Sequence, residues 1–87
     1  MITLDIKGKM VSEPKFTKRS VKFLIDFKRP NQSHGMIIPV TMFLNRYNVE
    51  FDESNIYDVK GGFESFKIAD GKYAIAYNAH HISISEE

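Results

Sequence analysis

The chain has 87 residues, of which 43% are hydrophobic, and its 12 basic and 11 acidic residues leave a net charge of +1. A chain of this length supports one modest core, so we expect a single domain spanning residues 1–87. The absence of cysteine excludes disulfides, thiolate catalysis and zinc sites built on sulfur. The first residues alternate apolar and polar side chains and lack a signal-peptide pattern, which favours a cytoplasmic protein without a membrane partner.

Apolar residues recur mostly at every second position, the pattern of strands that bury one face. The first predicted strand begins at Ile2, and Gly8 inside its pattern indicates a bend or bulge. Pro14 ends this strand, and Glu13 to Ser20 reads as a polar hairpin loop. The second predicted strand then runs from Val21 to Lys28.

The middle of the chain predicts a third strand, from Met36 to Leu44. Its nearly continuous apolar run is typical of a strand covered on both faces. Pro39 lacks a backbone donor, so it predicts an edge position or a bulge. Residues 45–54 break the alternation and indicate a short helix or an irregular cover.

The last third of the chain predicts a hairpin, because Asp70-Gly71 is a strong turn signal between two alternating segments. The fourth strand runs from Ile56 to Ile68 with a bulge at Gly61-Gly62, and the fifth runs from Lys72 to Ile84. The predicted fold is therefore all-β, a five-stranded Greek-key OB-fold barrel with a short helix or irregular segment between strands 3 and 4.

Positive charge is concentrated in the first thirty residues, which hold eight basic and three acidic side chains, whereas the remainder holds four basic and eight acidic ones. A basic flank interleaved with aromatic rings predicts a groove in which cations contact phosphates and rings stack on bases. The alternative is an ordinary solvated face that keeps strands from aggregating. The predicted nucleic-acid-binding cations are Lys7, Lys9, Lys15, Lys18, Arg19, Lys22, Lys28 and Arg29.

Several short motifs follow one another in a consistent order. Gly8, Pro14 and Thr17 precede the second predicted strand, residues 21–25 read Val-Lys-Phe-Leu-Ile, and residues 59–63 read Val-Lys-Gly-Gly-Phe. In this order and spacing the chain resembles the bacterial single-stranded DNA-binding protein family. It lacks tryptophan and the family's glycine-rich linker and acidic tip, so it looks like a short, tailless member.

The resemblance implies that Phe43 and Phe66 are base-stacking platforms, although aromatics at strand spacing are also common in cores. Phe23 and Phe27 are in register with Val21 and Ile25, and we predict that they are core residues. The resemblance further implies a homo-oligomer, a dimer or tetramer, with replication proteins as additional partners.

The sequence carries no pattern that identifies an enzyme. No carboxylate spacing or nucleophile motif predicts catalysis, and we expect no cofactor. His80 and His81 are adjacent on a predicted strand, so we expect them to point to opposite faces and to form no metal site.

These observations predict binding of single-stranded DNA with little sequence preference, in replication, recombination or repair. Two alternatives stay open: a protein-interaction module similar to an accessory subunit of the primosome, and an RNA-binding protein. Exposed rings beside lysines would favour nucleic acid, whereas rings in a dry patch would favour a protein partner.

Overall fold

A computed structural model describes residues 2–28 and 35–85. The predicted all-β class is confirmed, since most of these residues lie in strands and a three-residue 3-10 turn, Leu44–Arg46, is the helical element among them. None of the helical structure in these two ranges is long and apolar enough to cross a membrane. The strands are β1 (Ile2–Met10), β2 (Lys15–Phe16), β3 (Ser20–Phe27), β4 (Met36–Phe43), β5 (Ile56–Ala69) and β6 (Lys72–Ile84).

Strand pairing connects the five long strands into a ring. β1 pairs antiparallel with both β3 and β5, and β5 pairs antiparallel with β6. β4 pairs antiparallel with β3 and parallel with β6, which completes the ring. The short β2 lies inside the predicted loop and pairs with β3 at Lys22 and Val21. Pro30 to Gly35 is rich in turn-forming residues and predicts a turn, but this segment, except for Gly35, lies outside the described residues.

The ring closes at Gly8, where β1 pairs with two strands. This residue is opposite Tyr57 in β5 and Phe27 in β3 at the same time. A Cβ atom at Gly8 would overlap the backbone carbonyl of Asp26, so only glycine lets the two strands approach this closely. β1 keeps a continuous register with β5 through Lys9, and Gly8 therefore permits a close approach without forming a bulge.

The bulge predicted at Gly61-Gly62 of the fourth strand lies on the opposite strand, β6. The β5–β6 register shifts between Lys60, which is opposite His81, and Gly61, which is opposite Ala79. His80 is the extra residue, and both His80 and His81 are exposed. The expectation that the two imidazoles point to opposite faces is therefore wrong, because the bulge interrupts the alternation.

β4 differs from its prediction. Ile38, Val40 and Met42 are buried, but Ile37 and Pro39 are exposed, so the prediction of a strand covered on both faces is wrong. The apolar residues at alternate positions face outwards. In the described chain β6 pairs with β4 only from Val40 to Met42, so Pro39 lies on a locally free edge of the sheet. Because proline lacks a backbone N–H donor, this edge position agrees with the prediction.

The segment that follows the 3-10 turn is irregular and covers the core. Tyr47, Val49 and Phe51 are partly buried and pack against it. The Tyr57 hydroxyl fixes this cover, since it donates to the carbonyl oxygen of Glu50 and accepts from the backbone N–H of Asp52 at 2.9 Å. The sequence predicts either a short helix or an irregular cover for residues 45–54, and the structure has an irregular cover after one 3-10 turn.

The core fills the ring with side chains from the five long strands. Phe23, 3% exposed, belongs to it as predicted, and Phe27 packs against it. The largest fully buried side chains are Tyr57 and Tyr77, and the Tyr77 hydroxyl donates to the carbonyl oxygen of Leu4 in β1. The buried hydrophobic residues are Ile6, Met10, Val21, Phe23, Ile25, Ile38, Val40, Met42, Tyr57, Val59, Tyr77, Ala79 and Ile82.

The buried Tyr77 hydroxyl makes the free energy of unfolding decrease at alkaline pH. Burial, with a smaller effect of the Asp5 carboxylate, raises the pKa of Tyr77 to about 12, whereas an unfolded tyrosine ionises at about pH 10. The neutral native hydroxyl therefore contributes stability that is complete below about pH 10 and is lost as the pH rises towards 12. We expect the free energy of unfolding in urea to fall across this window, and to fall less in Tyr77→Phe. An equal decline in both proteins would assign the effect to other groups.

Candidate nucleic-acid interface

The strand registers define one outer face of the molecule. Directly opposite residues of an antiparallel pair share a face, and successive residues alternate. Since Val21, Phe23 and Ile25 are buried, the residues between them on β3 face outwards. Their partners on β4 face outwards as well: Ser20, Lys22 and Leu24 lie opposite Phe43, Thr41 and Pro39, respectively.

This outer face continues across β6 and β5. Thr41 is opposite Asn78 in the parallel pair, and the Asn78 side-chain amide donates to the Glu64 carboxylate at 2.9 Å. Phe43, Glu64 and Asn78 line one shallow cavity. The outer face therefore spans β3, β4, β6 and β5.

Phe43 projects from the end of β4 with 68% of its surface exposed. It lies in an open groove of about 580 Å³, here called the Phe43 groove. The groove places an exposed ring next to three cations. Its lining residues are Lys18, Arg19, Phe43, Leu44, Asn45 and Arg46.

Local hydrogen bonds fix the backbone turn that carries Lys18 and Arg19. The Thr17 backbone N–H donates to the Ser20 carbonyl oxygen at 2.8 Å, and the two hydroxyls bond to each other at 2.8 Å. Lys18 and Arg19 form the tip of this tight turn. The Leu44 N–H donates to the Arg19 carbonyl oxygen at 2.9 Å, which attaches the turn to the end of β4.

Phe66 lies on the same outer face but at a distance from the Phe43 groove. It is 50% exposed and is opposite Ala74 on β6. Continuing the β4–β6 register places Phe43 beside position 80 of β6, so the two rings are six strand positions apart, or roughly 20 Å along the strands. One base cannot contact both rings, but a single strand several nucleotides long could.

The structure divides the predicted cations into two groups. Lys15 and Lys22 face each other across β2 and β3 and line a pocket that also contains Glu13. Lys22 is two positions along β3 from Ser20, which is opposite Phe43.

The second group lies on β1, across the ring from β4. Lys7 is opposite Asp58 and Lys9 is opposite Asp26, so each cation has a carboxylate as its cross-strand neighbour. Lys28 is exposed after the end of β3. Arg29 lies outside the described residues.

Two features of the outer face are not predicted from the sequence. Arg46 lines the Phe43 groove because the 3-10 turn begins directly after Phe43. The second feature is the β5–β6 arm, Glu64–Ala76, where the two strands pair only with each other in the described chain. Its tip is the predicted Asp70-Gly71 turn, with Gly71 at φ 72°.

The β5–β6 arm carries large exposed apolar side chains. Ile68, Tyr73 and Ile75 are all exposed, in addition to Phe66. Lys67 is also on the arm and forms an exposed ion pair with Asp70 at 3.3 Å. The arm therefore differs from the Phe43 groove, where the ring has three cations beside it.

Histidine and carboxylate side chains do not assemble into a metal site in the described parts of the chain, where no group of three is close enough to hold an ion. The chain matches no protein-family model and no curated protein at significant similarity. The resemblance to the bacterial single-stranded DNA-binding family stays a prediction, and the function has to be argued from the geometry.

Proposed function

We propose that this chain is an OB-fold protein that binds single-stranded DNA with little sequence preference and acts in replication, recombination or repair. The strand ring supports the fold assignment, because an OB-fold is a five-stranded, partly open Greek-key barrel. Such barrels bind oligonucleotides on their second and third strands and on the loops after their first and fourth strands. In this chain those parts are β3, β4, residues 11–19 and the tip of the β5–β6 arm.

The observation that carries the proposal is the Phe43 groove. The Phe43 ring is 68% exposed and lies in one groove with Lys18, Arg19 and Arg46, so a stacking surface and three cations are brought together. The cations attract phosphates without regard to sequence, and the ring stacks on any base. Binding of this kind makes and breaks no covalent bond.

A protein partner is the second candidate, and the β5–β6 arm favours it. Phe66, Ile68 and Ile75 are exposed apolar side chains on this arm. A second copy of the chain or a replication protein could cover this surface while the Phe43 groove binds the nucleic acid. The two functions are compatible, since the β5–β6 arm and the Phe43 groove are different parts of the molecule.

The test is a titration of labelled oligothymidylate, oligouridylate and a matched DNA duplex at several salt concentrations. We expect the single DNA strand to bind best, with an affinity that falls as salt rises, by about 0.7 in log–log slope for each phosphate contact. Preference for the duplex, or no binding of any of the three at low salt, would overturn the proposal. Preference for oligouridylate would assign the groove to RNA.

Removing the two positive charges from the turn beside Phe43 tests whether these side chains contact phosphates. The double variant Lys18→Gln/Arg19→Gln should lower the salt slope by about 1.4, the contribution of two phosphate contacts. The matched control is Lys7→Gln/Lys9→Gln, which removes the same charge from β1 and should change the slope less. Equal changes in the two variants would mean that net charge, and not the Phe43 groove, sets the affinity.

A further inference from the structure

The bulge in β6 presents two imidazoles on the outer surface. His80 has no partner in the register, and His81 is opposite Lys60. The residues on either side of the pair, Ala79 and Ile82, are buried, whereas both histidines are exposed. A regular strand would have turned one of the two imidazoles towards the core.

The bulge begins where the β4–β6 pairing ends. The last parallel pair is Met42 opposite Ala79, so Phe43 on β4 and His80 on β6 are the next residues of the two adjacent strands. The 3-10 turn that carries Arg46 also contacts β6. The imidazoles therefore follow directly on the paired end of β4 and β6 that precedes Phe43.

We propose that His80 and His81 form a protonation-dependent part of the nucleic-acid interface, so that single-stranded DNA binds more tightly at mildly acidic pH. The inference rests on the proposed function. Histidine side chains change charge between about pH 5 and 8. Neutral imidazoles can stack on bases, and protonated ones donate charge-assisted hydrogen bonds to phosphates.

The two histidines suit a phosphate group better than a metal ion. Two imidazoles alone leave a metal with half of a tetrahedral ligand set, and no third ligand is close in the described chain. A phosphate needs only donors and positive charge, and the groove already supplies both at Arg19 and Arg46.

Charges of both signs face the bulge from the neighbouring elements, and β4 contributes no titratable side chain. They are Lys60, Asp58 and Glu64 on β5, Arg46 in the 3-10 turn, and Asp5, which is opposite Lys60 on β1. A bound phosphate favours the protonated form of a neighbouring imidazole, so binding takes up protons and the affinity rises as the pH falls.

The experiment measures binding of an oligothymidylate of about 30 nucleotides from pH 8 to pH 5.5 at constant ionic strength. Thymine does not titrate in this range, and a rhodamine label avoids the pH response of fluorescein. We expect the association constant to rise roughly five- to tenfold as the pH falls, with a steeper salt dependence at the acidic end.

The matched protein is His80→Gln/His81→Gln, which keeps hydrogen-bonding capacity but cannot become charged. Its association constant should be nearly independent of pH, and His34, which it retains, serves as an internal control. The same rise in the double variant as in the wild type would overturn the inference. Circular dichroism establishes folding, and if the double variant is unfolded, His80→Gln and His81→Gln separately should each retain part of the rise.

The outcomes separate this inference from the proposed function. Binding at pH 8 without a rise at acidic pH would overturn the role of the histidines and leave the Phe43 groove intact. Absence of binding at every pH would overturn both. Binding that appears only at acidic pH and is lost in the double variant would support the histidines as the main contact.

Discussion

Replacing Phe43 with alanine is expected to weaken oligothymidylate binding by about 1 to 3 kcal/mol, or roughly 5- to 150-fold in the dissociation constant. The ring is exposed at the end of β4, so its loss removes a stacking surface without opening a cavity in the core. The salt slope should stay almost unchanged because Lys18, Arg19 and Arg46 remain. Fluorescence anisotropy at several salt concentrations measures both quantities.

The matched control for this variant is Phe16→Ala. Phe16 is also exposed, at 58%, but its ring contacts the edge of Tyr47 in a separate groove that contains Glu13 and Glu50. Carboxylates repel phosphates, so removing this ring should leave the affinity close to that of the wild type. If Phe16→Ala and Phe43→Ala weaken binding equally, exposed rings contribute nonspecifically and the Phe43 groove is not the binding site.

Phe66→Ala then shows how far the bound strand extends. Phe66 lies roughly 20 Å along the strands from Phe43, which is several nucleotides away. A loss of affinity for a long oligonucleotide but not for a short one would place the β5–β6 arm on the path of the DNA. No loss with either length would leave the arm to a protein partner.

Alternation of apolar residues predicts β1, β3, β5 and β6, because burial of one face imposes a period of two, and a nearly continuous apolar run predicts β4. β2 could not be predicted, since a two-residue pair such as Lys15–Phe16 is too short to show any period. The covering of β4 was predicted wrongly for a different reason. An apolar run looks the same whether its outward residues lie under another element or, like Ile37, on a surface.

The candidate site was harder to predict than the fold. Charge along the sequence grouped Lys7 and Lys9 with Lys18, but the ring places β1 across from β4 and separates them. Arg46 joins the site through the 3-10 turn, which has no sequence signal of its own. Proximity in space depends on strand order, and single-sequence patterns reveal the strands without revealing their order.

The same strand order depends on one glycine, and Gly8→Ala is expected to destabilise the protein by about 1 to 3 kcal/mol. The new Cβ would overlap the backbone carbonyl of Asp26, and a backbone atom in a paired strand cannot move aside as a side chain can. Without this overlap alanine would stabilise the protein by about 0.4 to 1 kcal/mol, since it restricts the unfolded chain. The sign of the change in urea denaturation therefore tests whether β1 closes the ring against β3.

Gly71→Ala is the control for Gly8→Ala, because its Cβ would meet no atom within 4 Å and its cost comes only from the φ of 72° at the tip of the β5–β6 arm. The two variants should differ in where they loosen the molecule. Hydrogen exchange should accelerate in Gly8→Ala at residues 8–10 and 25–27, where β1 meets β3, and in Gly71→Ala only along the arm. If Gly8→Ala is as stable as the wild type and keeps these amides protected, β1 and β3 do not pair as closely as the ring requires, and the outer face that carries Phe43 loses its support.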